Sequence, residues 1–204
     1  MSLSCPVDLD VSRLRREVNA MYGRLAETPK GAFHFHRGLQ YAERVLGYDG
    51  RALSRLPVEV TTRFAGIGNP LAIAPLSAGD TVLDVGCGAG TDLLLAALGV
   101  GALGIAIGVD MNQRMRDHAF EGAARMGLAN VDVRGGDAAA LPVATRSVDV
   151  VISNGVINLV PEKERAIGEI ARVLKPGGRA QIADIAIGQR LPSSVVGNID
   201  LWTG

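Results

Sequence analysis

Along this chain the hydrophobic positions change their period near residue 81. Before that point they recur every three or four residues. Val11, Leu14, Val18, Met21 and Leu25 mark one face of an amphipathic helix over 11–27. The stretch "TPKGAFHFHRG", with Pro and Gly, reads as a loop. "LQYAERVLGYDG" reads as a helix stopped by Gly47, and "ALSRLPVEVTTRFAG" as one or two helices interrupted at Pro57. "IGNPLAIAPLSAGD" is rich in turn residues. Residues 1–75 are therefore expected to form a helical N-terminal extension or lid, and 76–204 a second unit.

From Thr81 short apolar runs alternate with helical patterns. "TVLDVG", "GIAIGVDM", "VDVRGGD", "VDVVISN" and "RAQIADIAI" read as strands. "TDLLLAALG" and "NQRMRDHAFEGAARMG" read as the helices between them. "PEKERAIGEIARVLKPGG" is the clearest helix. Pro161 suits its first turn, Ile167, Ile170, Ala171 and Leu174 its buried stripe, and Lys175, Pro176 and Gly177 its end. Strand alternating with helix gives right-handed βαβ units and a mostly parallel sheet with helices on both faces, an α/β Rossmann-like fold. The uncharged run "LLLAALGVGALGIAIGV" contains four glycines and is bracketed by Asp92 and Asp110. It reads as a helix end, a turn and a strand buried on both faces, not as a membrane span.

Composition narrows the partners. The 204 residues carry 21 basic and 21 acidic side chains and are 48% hydrophobic. A zero net charge argues against nucleic acid, which needs a basic surplus. Cys5 and Cys87 make no disulfide framework, and "MSLSCPVDLD" has neither a basic start nor an apolar core. The expectation is a reduced, cytoplasmic protein.

Candidate chemistry gathers behind the first strand, in "VLDVGCGAG". Gly86, Gly88 and Gly90 let a ligand lie against bare backbone, and the next helix offers free N–H groups. Asp110, ending the second strand, can accept from both hydroxyls of a ribose, or cap the following helix. Asp137, after the third strand, can meet an adenine amino group, or be a solvated loop acid. Ser153 and Asn154, ending the fourth, would face the site or merely form a turn. Nicotinamide and flavin sites favour G-x-G-x-x-G. Here an acid, Asp84, precedes G-x-G-x-G, and it can hold an ammonium. A nucleoside joined to an amino acid describes S-adenosylmethionine.

On these motifs the chain resembles the class I S-adenosylmethionine-dependent methyltransferases from about Phe64 to Trp202. Through "VISNGVINLVPEKERAIGEIARVLKPGGRAQIADI", with "FAGIGNP", "GVDM" and "NIDLW", it is most similar to their arsenite methyltransferase-like branch. The resemblance implies that Asp84, Gly86, Gly88 and Gly90 line the methionine part of the cofactor. It implies Asp110 and Met111 at ribose and adenine, Asp137 and Ala138 at adenine, and Asn154 near the sulfonium. Cys87 lies inside that loop. S-adenosylhomocysteine would be the product.

The resemblance also implies metalloid-binding cysteines. Where one belongs in the "ISN-x-VINL" motif, this chain has Gly155; where another falls in the N-terminal segment, it has "KGAFHFHRG". Methylation of a small molecule on oxygen, nitrogen or carbon is expected instead of arsenic chemistry, by in-line displacement at the sulfonium carbon. His34 and His36 alternate on one side of an extended segment, as candidates for a base or as surface histidines. Tyr22 and Tyr41 are candidates to cover the cofactor. No metal is expected. The resemblance implies seven strands where the pattern gives five, leaving the fifth as an edge for the C-terminal tail or a homodimer to cover. The competing class is a non-catalytic cofactor-binding or interaction module.

Overall fold

The computed structural model describes residues 10–186 and Gly188. Five strands form one parallel sheet: β1 (Thr81–Val85), β2 (Ile105–Asp110), β3 (Val131–Gly135), β4 (Val148–Asn154) and β5 (Leu174–Ala183). Their order is β3-β2-β1-β4-β5, and every pairing is parallel. Strand order therefore reverses at β1, between β2 and β4, which opens a crevice beyond the carboxyl ends of those strands. Among the described residues β5 is an edge. "NIDLW", Cys5 and the C-terminal tail lie outside them.

Both faces of the sheet are covered because the central strands β1, β2 and β4 carry runs of consecutive buried residues, which point to opposite faces in turn. Leu83, Val85, Val109 and Val151 pack with Ala166, Ile170 and Val173 of α7 (Lys163–Val173). Val82, Val150 and Ile152 pack with Ala96 and Val100 of α5 (Thr91–Val100). On the same side, Ala119 of α6 (Gln113–Arg125) meets Leu93 and Ala106. Each of the Val, Leu and Ile side chains, fully buried, contributes about 1.5–3 kcal/mol. Pleating sets Asp84 on the α5 side, in line with Val82.

The N-terminal segment forms α1 (Val11–Glu27), α2 (Leu39–Arg44), α3 (Gly50–Leu53) and α4 (Val58–Thr61). Asp10 caps α1 by accepting from the Arg13 N–H at 2.9 Å. Ala42, Tyr48, Leu53, Val60 and Phe64 share one apolar cluster with Leu94 and Ala123, so this segment packs directly on α5 and α6.

Three sequence expectations about α7 and β5 are corrected. The helix starts at Lys163, with Pro161 buried before it, because the Lys163 ammonium gathers the carbonyls of Ile157, Asn158 and Val160 at 2.8–3.0 Å into a preceding 3-10 turn. The buried stripe is Ala166, Ile170 and Val173; Ile167 is 43% exposed and Ala171 faces solvent. Finally, the chain passes from helix to strand at Leu174. Pro176 and Gly177 lie within β5, where Leu174 pairs with Val148 but Arg179 pairs with Val150. Pro and Gly there mark an edge-strand bulge. The Lys175–Asp149 ion pair at 2.8 Å ties that bulge to β4.

Ile170→Ala should lower stability by about 2–5 kcal/mol through the cavity it leaves. Ile167→Ala should change it by less than about 0.5 kcal/mol. Urea denaturation of the two variants distinguishes this stripe from the one the sequence suggested.

Candidate cofactor site

The loop after β1 is fixed by its backbone. The N–H groups of Gly86 and Cys87 both donate to the Val109 carbonyl, at 2.7 and 3.1 Å, which fastens the loop to the end of β2. Gly86 has φ +74°, and a Cβ there would run into Val156. Gly90, the N-cap of α5, has φ +97°, and its Cβ would lie 2.9 Å from that of Ala119. Side chains at these two positions would push the loop off its neighbours.

A cavity of about 140 Å³ lies above this loop. It draws on the ends of β1, β2 and β4, the loop after β3, and α1. Asp84 is 2% exposed and its Oδ2 has no hydrogen-bond partner. Burial, then the nearby Asp92 and Asp110, push its carboxyl well above the usual carboxylate range, and a backbone bond from Leu93 offsets only part of this. Thr91 Oγ1 is likewise buried and unpartnered on the same wall. An orphaned buried carboxyl facing a cavity fits a cationic ligand group.

Asp92, by contrast, is tied off. The Tyr48 hydroxyl donates to its Oδ1 at 2.6 Å and the Asn154 amide to its Oδ2 at 3.0 Å. Burial and the facing Asp92 carboxylate push the Tyr48 phenol far up. Asn154 lines the cavity, but its amide is fully engaged. Its Oδ1 accepts from Ile67 and Gly68 at 2.8 and 3.1 Å, and its Nδ2 also donates to the Gly68 carbonyl at 2.8 Å. Asn154 thus faces the cavity, as expected, while its amide holds the protein's own backbone.

Asp110 is not the cap of α6; Asn112 is, accepting from Met115 N–H at 3.1 Å. Asp110 accepts from Gly88 N–H at 2.9 Å and Asn112 N–H at 2.8 Å, and burial raises its pKa. Each oxygen keeps acceptor capacity. Met111 and Ala138 line the same wall, as does the buried thiol of Cys87, whose pKa burial pushes up. Asp137 accepts from Ala139 N–H at 2.8 Å and pairs with Arg15 at 2.8 Å.

Arg15 is one of several site residues that the sequence reading missed. Its other Nη2 contacts reach both oxygens of Glu162 at 3.0–3.1 Å, so α1 straps the loops after β3 and β4 together. Asn112 Nδ2 adds a bond to Asn19 Oδ1 at 2.8 Å. Arg15, Val18, Asn19 and Tyr22 all line the cavity. Their spacing is one helical stripe beside the apolar one, a signal present in the sequence. Burial first, then Asp110 and Asp184, raise the Tyr22 phenol to about 12.

Other candidates lie elsewhere. His34 is exposed and His36 is half-buried, and neither lines the cavity. The alternate residues Phe33 and Phe35 turn inward against Leu25, Ala26, Ala89 and Met115. Tyr41 stacks on His36 at 5.2 Å, away from the cavity. Ser153 is buried, donating to the Val85 carbonyl at 3.1 Å. Among the described residues no three His, Cys, Asp or Glu side chains come together as a metal site, and no helix is long and apolar enough to cross a membrane.

A parallel sheet with a glycine loop and acids at its switch point defines a Rossmann-like nucleoside-cofactor protein. Residues 76–202 match a family described as methyltransferase domain. An arsenite methyltransferase from Halobacterium salinarum is 45% identical over 159 residues, covering 78% of this chain and 40% of that protein. A malonyl-[acyl-carrier protein] O-methyltransferase from Methylococcus capsulatus is 36% identical, over 77% of this chain and 53% of its own. The crystal structure of an arsenic(III) S-adenosylmethionine methyltransferase from Chlamydomonas reinhardtii superposes with a TM-score of 0.63 at 38% identity, covering 71% of this chain and 51% of that one. The chain thus spans about half or less of the length of these relatives. It belongs to the class I S-adenosylmethionine-dependent methyltransferases, close to the arsenite methyltransferase branch.

Two outcomes test this geometry. Asp84 binds its proton more tightly folded than unfolded, so its contribution to stability is full below its unfolded pKa and is lost as pH rises toward the folded one. Asp84→Asn should therefore raise the melting temperature of the ligand-free chain at neutral pH, by roughly 2–4 °C per kcal/mol relieved, with little effect near pH 3.5. Arg15→Ala removes half-exposed ion pairs and should cost under about 1 kcal/mol. It should nonetheless speed hydrogen exchange throughout α1, read by mass spectrometry.

Proposed function

We propose that this chain binds S-adenosylmethionine and transfers its methyl group to a small-molecule acceptor. The observation that carries the proposal is Asp84, a buried carboxyl with an unpartnered oxygen facing the switch-point cavity. When bound, the cofactor supplies an electrophilic methyl group on a sulfonium. Asp84 holds its ammonium, and the Gly86–Gly90 backbone lies against its methionine part. Asp110 accepts from the ribose hydroxyls, Met111 and Ala138 flank the adenine, and Asp137 accepts from the adenine amino group. Asn154 positions the 66–68 segment at the reacting end, and α1 serves as the lid. Holding the reactants in line over a water-excluded cavity supplies much of the rate.

We assign the acceptor atom to oxygen, nitrogen or carbon. At Gly155, a Cβ would lie 3.4–3.8 Å from the side chain of Ile67, so an aliphatic surface stands there instead of a thiolate. Cys87, the cysteine among the described residues, is kept protonated by burial. The named arsenite methyltransferases support trivalent arsenic as the second acceptor. A reduced compartment, such as the cytoplasm, belongs to the same reading. So does a second copy against the outer side of β5.

Calorimetric titration with S-adenosylmethionine and S-adenosylhomocysteine should show binding that Asp84→Asn and Asp110→Ala each weaken about tenfold or more, roughly 1.4 kcal/mol. Labelled methyl transfer to a panel of phenols, amines, acids and arsenite then reads the acceptor. Cofactor binding with no transfer to any of them favours the non-catalytic module. No binding by wild type overturns the cofactor assignment.

A further inference from the structure

Tyr22 lines the cavity from α1. It stacks on Phe35, with ring centroids 6.3 Å apart. It packs against Leu159, in the loop after β4, and shares an apolar cluster with Ala65, Ala89 and Met115. These contacts fix the ring, while its hydroxyl bonds to no group among the described residues. Tyr48, buried in the same N-terminal segment, donates to Asp92 at 2.6 Å. An enclosed phenol normally finds such a partner. Tyr22 has none, and its open side is the cavity.

Two acids locate that hydroxyl along the sheet. Asp110 ends β2. Asp184 follows β5, where it accepts from the Ile157 and Asn158 N–H groups at 2.7 and 3.2 Å. After burial, these two carboxylates are what raise the phenol to about 12. Strands β1 and β4 lie between β2 and β5 in the sheet, so Tyr22 stands over their ends. Ala65 adjoins Gly66, and Leu159 shares the loop that begins at Gly155. Gly66, Asn154 and Gly155 line the same cavity. This is the reacting end in the reading above.

A phenol that keeps its proton throughout the neutral range is a donor, not a base. The other titratable groups of the wall are committed. Asp84 and Asp110 serve the cofactor in the same reading, Asp92 is tied to Tyr48 and Asn154, and Asp137 to Arg15. Burial keeps the Cys87 thiol protonated, and Arg15 and Arg63 are permanent cations. Among the described residues neither a histidine nor a lysine lines the cavity.

We propose that the Tyr22 phenol orients the acceptor by a hydrogen bond, and that this acceptor is an oxyanion already deprotonated on arrival, a carboxylate or an acidic phenol or enol. This rests on the methyl-transfer reading above and narrows its acceptor atom to oxygen. One lone pair of the oxyanion accepts from Tyr22, and another forms the bond to the methyl carbon. The C–S bond breaks with its electron pair passing to sulfur. Oxyanion and sulfonium become a neutral ester or ether and a neutral thioether, and no proton moves.

The test measures methyl transfer by the full chain to para-nitrophenol, the less acidic para-cyanophenol, benzoate, benzylamine and arsenite, beside calorimetry with S-adenosylhomocysteine. Wild type should methylate the oxyanions. Its kcat/KM for each phenol should rise with pH through that phenol's own ionisation, so the midpoint moves when the phenol is exchanged. Tyr22→Phe keeps the ring and removes the donor. It should lower kcat/KM about tenfold or more and leave S-adenosylhomocysteine affinity unchanged. Should Tyr22→Phe not fold, the wild-type midpoints decide. An unchanged rate in Tyr22→Phe overturns the proposal. So does a matching loss of S-adenosylhomocysteine affinity, which makes the tyrosine part of the cofactor's wall. A midpoint that stays fixed while the phenol changes reveals a protein base and also overturns it. Transfer to benzylamine or arsenite alone overturns it and leaves the methyltransferase reading standing. A chain that binds no cofactor, or binds it and methylates none of the probes, overturns both.

Discussion

The side-chain amide of Asn154 is the fastening on which the rest of the site depends. It ends β4, yet it bonds the backbone of Ile67 and Gly68, the hydroxyl of Tyr48 and the carboxylate of Asp92. The N-terminal segment, the central sheet and the first turn of α5 meet at this one group. Its donors and acceptor are all used, in a setting where an unmade bond costs about 1–3 kcal/mol. Gly66 has to be bare for it, since a Cβ there would overlap the amide. Tying off Asp92 has a further consequence. Asp92 already carries two bonds, so Asp84 is left as the neighbouring carboxyl with an open oxygen.

Above this fixed floor α1 lines the cavity, and the two parts are held differently. The floor is pinned by buried, short, mutually supporting bonds. The cover is pinned by Arg15 and Asn19, with Arg15 37% exposed in its ion pairs. Exposed ion pairs are weak and screened by salt. Apolar contacts of Leu14, Val18 and Tyr22 with Leu159 hold the helix down over the same loops. A rigid floor under a more weakly held cover is the division of labour expected of a site that must admit a large ligand and then shed water around it.

Much of this was legible in the chain's own pattern, and the boundary of legibility is physical. Strands β1 to β4 and helices α1, α5 and α6 follow from period and breakers because local burial and local sequence agree there. The glycine loop, Asp84, Asp110 and Asp137 are readable for the same reason: their meaning depends on the residues next to them. The stripe that carries Arg15 was readable, but its ion pairs and the Tyr48–Asp92 bond were not, because each partner lies across the fold. Arg15 is 122 positions from Asp137 in the numbering, and no spacing rule connects them. His34 and His36 show the opposite failure. Alternation made them candidates, but the packed positions of this segment go to Phe33 and Phe35, the larger hydrophobic payload. At α7 the stripe slipped because Ile167 is apolar without being buried, a choice that only packing makes.

Chains fold best when every local choice agrees with the global one. Here the disagreements cluster. Among the described residues three buried side-chain atoms have no partner, and two of them, Asp84 Oδ2 and Thr91 Oγ1, line the same cavity. Beside them α5 begins without a side-chain cap, and Gly86, Gly88 and Gly90 hold positive φ within five residues. An asparagine or valine at 84 and a valine at 91 would each suit the empty fold better by elementary rules. Scattered through the molecule, such costs would be unrelated flaws. Converging on the switch point of the sheet, they are complementary: an acceptor, donors and bare backbone around one volume. That complementarity has no use within the chain itself. It is accounted for by a ligand with a cationic group and a surface that lies flat on main chain, and the ligand-free protein bears the cost of waiting for it.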